Sequence, residues 1–209
     1  MTLARSERAG LAASLLAGGP GAPTLCAGWL AADLAAHVVL RERRPDAAPG
    51  IVIRPLAGWT RRVQRRYADR PFDELVGLVR SGPPRWSPLG WPAVDAAANG
   101  VELFLHHEDV RRAAPGWEPR TLPAADVSEL WGRLPRLARL AMRGVAGGVV
   151  LRRPSGEAVT VRVGSPRVTV VGEPAELVLF ATGRQRAARV ELDGGAAAVE
   201  ALRQTAFGL

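Results

Sequence analysis

The spacing of apolar residues changes once along this chain of 209 residues, near Gly144, and the change limits the folds open to it. Before that point apolar residues recur at helical intervals, and proline and glycine end the runs. The pattern predicts helices over about 2–17, 30–43, 56–68, 73–80, 93–113 and 123–143. Gly18-Gly19-Pro20 stops the first, Pro45 closes the second, Asp73 caps the fourth and Pro115-Gly116 breaks the fifth. Ile51-Val52-Ile53, bracketed by Pro49-Gly50 and Pro55, reads as a short extended piece. The stretch 81–92, with four prolines, Trp86 and Trp91, reads as a packed loop. Past Gly144 the runs are short and β-branched: Val149-Val150-Leu151, 159–163 and 168–171, split by the turns Pro154-Ser155-Gly156 and Gly164-Ser165-Pro166. A helix over 173–182, a strand over 189–192 and a helix over 196–204 complete the chain. Helices first and a small sheet afterwards give an α+β protein, with a helical bundle over 1–143 and a small α+β domain over 144–209.

Charge narrows the function only partly. The net charge is +8, and with no lysine present all 28 basic residues are arginine. Between Arg41 and Arg66 lie Arg43, Arg44, Arg54, Arg61, Arg62 and Arg65, against only Glu42 and Asp46. Such a cluster suits phosphates or an acidic small molecule, and it suits equally a solvated arginine-rich face. No apolar run approaches the roughly 18 residues that would span a bilayer. The N-terminal MTLARSERAG carries Glu7 and lacks an apolar core, so it does not read as a secretory signal. With Cys26 as the single cysteine no disulfide forms within the chain, and a cytoplasmic location is expected. Cys26, between Leu25 and Trp29, reads as a packing residue rather than a nucleophile, and the six tryptophans as core or pocket lining.

Three histidines make the search for chemistry short. On the predicted helix over 93–113, His106 falls about 40° from Glu102 and Asp109 about 20° to the other side. All three lie within the apolar face, among Ala98, Val101 and Leu105. A carboxylate there needs a cationic partner. His107 falls about 140° away, beside Phe104 and Arg111, and is the poorer candidate. Four-residue spacing lets Glu102 and His106 reach one ion, although a Glu paired with arginine beside a hydrogen-bonded core histidine explains the same pattern. His37 shares its helix face with Leu30, Asp33, Leu34, Leu40 and Arg41, and so also points inward. Two histidines and one carboxylate on two helices make a three-ligand site with an open position, suited to Zn but also to Ni, Fe or Mn. Asp33 and Asp109 could orient the imidazoles, or stand as ordinary helix carboxylates.

These residues carry a resemblance. The segment Ala22-Pro23-Thr24-Leu25-Cys26-Ala27-Gly28-Trp29, followed by Asp33-Leu34-Ala35-Ala36-His37, resembles the loop and metal-binding helix of the mycothiol-dependent maleylpyruvate isomerase superfamily, part of the wider DinB-like group. Glu102, His106 and Asp109, within Val101 to Asp109, are similar to that family's second motif. The run from Glu173 to Gly183-Arg184 is similar to the helix ending in Gly-Arg of its C-terminal domain. The resemblance covers nearly the whole chain in the same order, and lies nearest an actinobacterial branch of metal-binding proteins. It implies a DinB-like up-down four-helix bundle followed by a small α+β domain. It also implies a divalent ion, usually zinc, on His37, Glu102 and His106, with mycothiol or another small thiol at the open position. Arg41 and Arg184 would then hold a carboxylate of the thiol or of a small acidic or electrophilic substrate. The expected activity is a metal- and thiol-dependent S-transferase or isomerase. The alternatives are a non-catalytic metal-binding module and, further off, a nucleic-acid binder, which leaves the inward Glu102/His106 pair unexplained.

Overall fold

The computed structural model describes residues 2–208 and divides into two compact units, Met1–Glu118 and Pro119–Leu209. The first unit is helical. Its helices are α1 (Leu3–Gly18), α2 (Ala31–Arg43), α3 (Ala57–Ala68), α4 (Phe72–Ser81) and α5 (Pro92–Arg111). Pro92 opens α5 at a position whose N–H needs no helical partner, and Gly19 and Gly82 end α1 and α4 with positive φ. α1 packs on α5 and α4, and α2 on α3 and α4. Leu11, Leu15, Leu34, Val38, Leu75, Val79 and Leu103 fill the space between them. Burying such side chains contributes roughly 1.5–3 kcal/mol each before the entropy of ordering them is counted.

Asp73 lies in the first turn of α4, one residue inside a start at Phe72, and Pro71 holds the cap position. The segment read as extended, 51–53, instead joins two 3-10 turns, Ala48–Ile51 and Arg54–Leu56. Proline sits in the first turn of each, where its fixed φ favours the turn. The first turn is pinned to α3 by Thr60, whose hydroxyl donates to the Ala47 carbonyl at 2.5 Å. Gly50 allows the approach: a β-carbon there would stand 2.5 Å from the Leu56 carbonyl oxygen. The stretch 81–92 is a turn-rich loop with a 3-10 turn at Pro88–Gly90, but Trp86 and Trp91 are 64% and 59% exposed, so they do not pack it.

The second unit contains α6 (Ala124–Ala141), β1 (Gly148–Arg152), β2 (Ala158–Arg162), β3 (Arg167–Val171), α7 (Pro174–Ala181), β4 (Glu191–Gly194) and α8 (Ala196–Gln204). The sheet order is β2-β1-β3-β4, with β1 and β3 parallel and the outer pairs antiparallel. Val149 and Leu151 of β1 and Val168 and Val170 of β3 are all buried, the alternation expected of a sheet covered on one face. The chain divides into these units between Glu118 and Pro119, and within the second α6 packs on α7 and β2. Leu130, Leu134 and Ala138 form a single buried stripe on α6, and α7, buried at every position but Ala175, lies against that helix.

Candidate metal centre

α2 and α5 supply the site. His37, on the second turn of an Ala- and Val-rich helix, is 7% exposed, and its ring lies 5.0 Å from that of Trp29 and 5.1 Å from that of His106. The Nε2 atoms of both histidines face one oxygen: Glu102 Oε1 lies 3.6 Å from His37 and 3.3 Å from His106. One donor atom from each residue falls within 4.8 Å of the others. His106 Nδ1 lies 3.1 Å from Asp109 Oδ2, so Nδ1 carries the proton and Nε2 is left for the site. Glu102 is less enclosed than its position in the apolar stripe predicts: its side chain keeps 31% exposure, which opens the site on that side.

Burial pushes Glu102 up, but the bonds to His106 and His37 and the charge of Arg41 outweigh it and hold the carboxyl well below its usual range. Burial lowers His106, while Asp109, Cys26 and Glu102 outweigh it and keep the imidazole well above an ordinary histidine. For His37, burial together with His106 and Arg41 prevails over Glu102, and its pKa falls. A neutral His37 imidazole, a fixed carboxylate and a His106 ring that gives up its Nε2 proton on binding, oriented by a buried aspartate, form a donor set that suits a divalent ion of intermediate softness.

Solved structures match this arrangement of elements. One is a histidine-to-alanine mutant of mycothiol-dependent maleylpyruvate isomerase, with a TM-score of 0.64 at 19% identity, covering 93% of this chain and 92% of that one. Another is the mycothiol-dependent maleylpyruvate isomerase itself, with a TM-score of 0.56 at 19% identity and the same coverage of 93% and 92%. The fold is that of this isomerase. No protein-family model matches the chain, and no curated protein matches it.

The other residues singled out in the sequence divide within this fold. Asp109 lies at the site, fully buried, and accepts from His106 and also from the Cys26 thiol at 3.2 Å. Cys26 packs against the core of the first unit, as its neighbours predict, and adds this bond. Cys26, His106 and Asp109 form a second convergent donor set sharing His106, closed on itself by those bonds. Asp33 is engaged elsewhere, with Oδ2 accepting from the Leu30 N–H at 3.0 Å, as suits a carboxylate in a first helical turn. Arg41 is at the site: Nε lies 3.5 Å from Glu102 Oε1, NH2 donates to the Ala98 carbonyl at 2.9 Å, and NH1 donates to Asn99 Oδ1. Arg184 follows α7 in the second unit and donates to the Thr182 carbonyl at 2.9 Å. Arg61, Arg62, Arg65 and Arg66 are exposed on α3, which agrees with a solvated face. None of the six tryptophans is buried; Trp29, beside His37, lines the site.

Two polar clusters escaped the sequence reading. His107 is 5% exposed, bonded through Nδ1 to Glu7 at 2.6 Å and through Nε2 to Ser14 at 3.1 Å. The signal was Glu7, Gly10 and Ser14 on one face of α1, with a glycine where the ring presses. Arg8 makes a two-pronged pair with Glu42, at 2.8 and 2.6 Å, and also donates to Asp95 at 3.1 Å. Opposite charges within the apolar stripes of α1 and α2 were its trace.

Proposed function

We propose that this protein binds one divalent ion, zinc by preference, through His37, Glu102 and His106, and uses it with a small thiol of the mycothiol kind in isomerisation or S-transfer. The observation that carries this reading is the convergence of two imidazole Nε2 atoms on one carboxylate oxygen. The fold shared with a mycothiol-dependent isomerase supports it. In the same reading α1, α2, α4 and α5 are the DinB-like up-down bundle.

A divalent ion at this site supplies Lewis acidity that lowers the pKa of a bound thiol and yields a thiolate nucleophile at neutral pH. The remaining work belongs to the chain. Asp109 holds His106 in the tautomer that leaves Nε2 free, Trp29 covers His37, and Arg41 offers positive charge to a carboxylate of thiol or substrate. Arg184 is assigned the same carboxylate-holding role. A non-catalytic metal module would share the site but give no turnover.

Metal analysis of the purified protein beside His37→Ala and Glu102→Ala tests the site. About one ion per chain in the parent and loss in both variants is expected, and full occupancy of both variants would overturn the assignment. With the metal bound, a thermal shift on adding mycothiol or another small thiol is expected. No shift with any thiol, beside intact metal, points to the module instead.

A further inference from the structure

Beside Arg41 the first unit has a cleft of about 400 Å³, lined by residues of the 3-10 turns Ala48–Ile51 and Pro88–Gly90. Its wall is largely apolar, with Ile51, Val52, Pro88 and Leu89; of its polar groups, Glu42 is already paired with Arg8, which leaves Arg41 and Ser87 to bind an oxygen-bearing head. Ser87 is 4% exposed, and its hydroxyl makes no cap bond to the turn it precedes and has no other partner among the described residues. The hydroxyl oxygen itself keeps contact with water, so it can bond a ligand that enters the cleft. Arg41 makes three contacts, to Glu102, Asn99 and Ala98, and a guanidinium has five N–H groups. The lip is apolar and open to water: Val52 is 82% exposed and Ile51 42%. Exposed aliphatic side chains rimming a cavity mark a surface that takes a ligand.

We infer that this cleft binds a small amphiphilic acid, its apolar body against Ile51, Val52, Pro88 and Leu89 and its carboxylate between Arg41 and the Ser87 hydroxyl. Arg41 lines both the cleft and the candidate metal site, so the ligand's head is brought to the side of Glu102. The role of this ligand as the partner of the thiol rests on the function proposed above, whereas the binding itself does not. The substrate class is thus a monocarboxylate with an apolar body, and not a compact dicarboxylate.

Titration with hexanoate, hexanol and maleate, followed by amide NMR on metal-free and metal-loaded protein, tests this. Hexanoate should bind at least about ten-fold more tightly than hexanol, which lacks the charge, and than maleate, which lacks the apolar body. Its shifts should fall on residues 45–52 and 87–90. Val52→Asp, at a position too exposed to affect folding, should weaken hexanoate by about ten-fold, and Ser87→Ala by about five-fold, with metal content and thermal midpoint unchanged. Maleate binding as tightly as hexanoate, shifts confined to other residues, or no response to Val52→Asp would each overturn the inference. Hexanoate bound here in a protein that takes up no metal would instead sink the proposed metal site and leave the cleft assignment standing.

Discussion

One oxygen of Asp109 accepts both the His106 Nδ1–H, at 3.1 Å, and the Cys26 thiol, at 3.2 Å, within a fully buried carboxylate. That carboxylate sets the tautomer and the ring angle of His106. Asp109→Ala should therefore lower metal affinity by about 10–100-fold while leaving the ligands in place, as read by competition with a chelator of known affinity. Unchanged affinity would show that Asp109 does not orient the ligand. At the surface, the Asp46 carboxyl is held at about 2 by its bonds to Arg44 and Trp59. A carboxyl depressed on folding gives stability that is present above its ordinary value near 3.8 and lost as pH falls through about 2. Arg44→Ala should move the Asp46 midpoint up toward 3.8 in a carboxyl-detected NMR titration. Helical spacing alone placed Glu102, His106 and Asp109 on one face. It could not show that Asp33 turns back to the Leu30 N–H, because a side chain's choice between backbone and ring is made by local geometry.

At the scale of the helix, α5 carries one continuous polar stripe. Asp95 accepts from Arg8 and Asn99, Asn99 accepts from Arg41, Arg41 meets Glu102, and Glu102 and Asp109 flank His106. The steps of three and four residues along α5 keep these groups on one side. The stripe was legible only where histidine drew attention to it. The opposite side is buried as well, because His107 enters a gap in α1 at Gly10, where a methyl would overlap the imidazole. Gly10→Ala should destabilise the protein by about 1–3 kcal/mol, since neither backbone can retreat in a packed helix pair; denaturant unfolding measures it. The Arg8–Glu42 pair ties α1 to α2 with side chains 8% and 1% exposed. Arg8→Met leaves the Glu42 carboxylate buried without its partner and should cost about 3–5 kcal/mol. The double variant Arg8→Met/Glu42→Met should regain most of that loss, and failure to do so would mean that packing rather than charge dominates there.

At the scale of the molecule, the chain folds as a helical unit followed by a unit of three helices and a four-stranded sheet, counted over the described residues. The candidate ligands all lie in the first unit, on α2 and α5, which are far apart in sequence. An ion joining two such helices stabilises the folded state by mass action, by about 2.7 kcal/mol at a hundred times its dissociation constant. Hydrogen exchange should accordingly slow most in residues 31–43 and 92–111 when zinc is added. Slowing confined to other segments would place the ion elsewhere.

The sequence by itself determined the helices, the β-branched strands and the inward faces of His37 and Glu102/His106, because apolar periodicity and breakers are local properties of the chain. Only the tertiary structure decided that α6 lies with the sheet, that 48–56 coils into 3-10 turns, and that Arg41 rather than Asp33 faces the site. Each of those outcomes depends on which partner surface a segment meets. The apolar stripe of α6 would bury equally well on any complementary face, and it is the surface offered by α7 and β2 that it covers. The change of pattern near Gly144 thus marks where strands begin, and the boundary between the units comes earlier, at Glu118/Pro119, where packing changes partners.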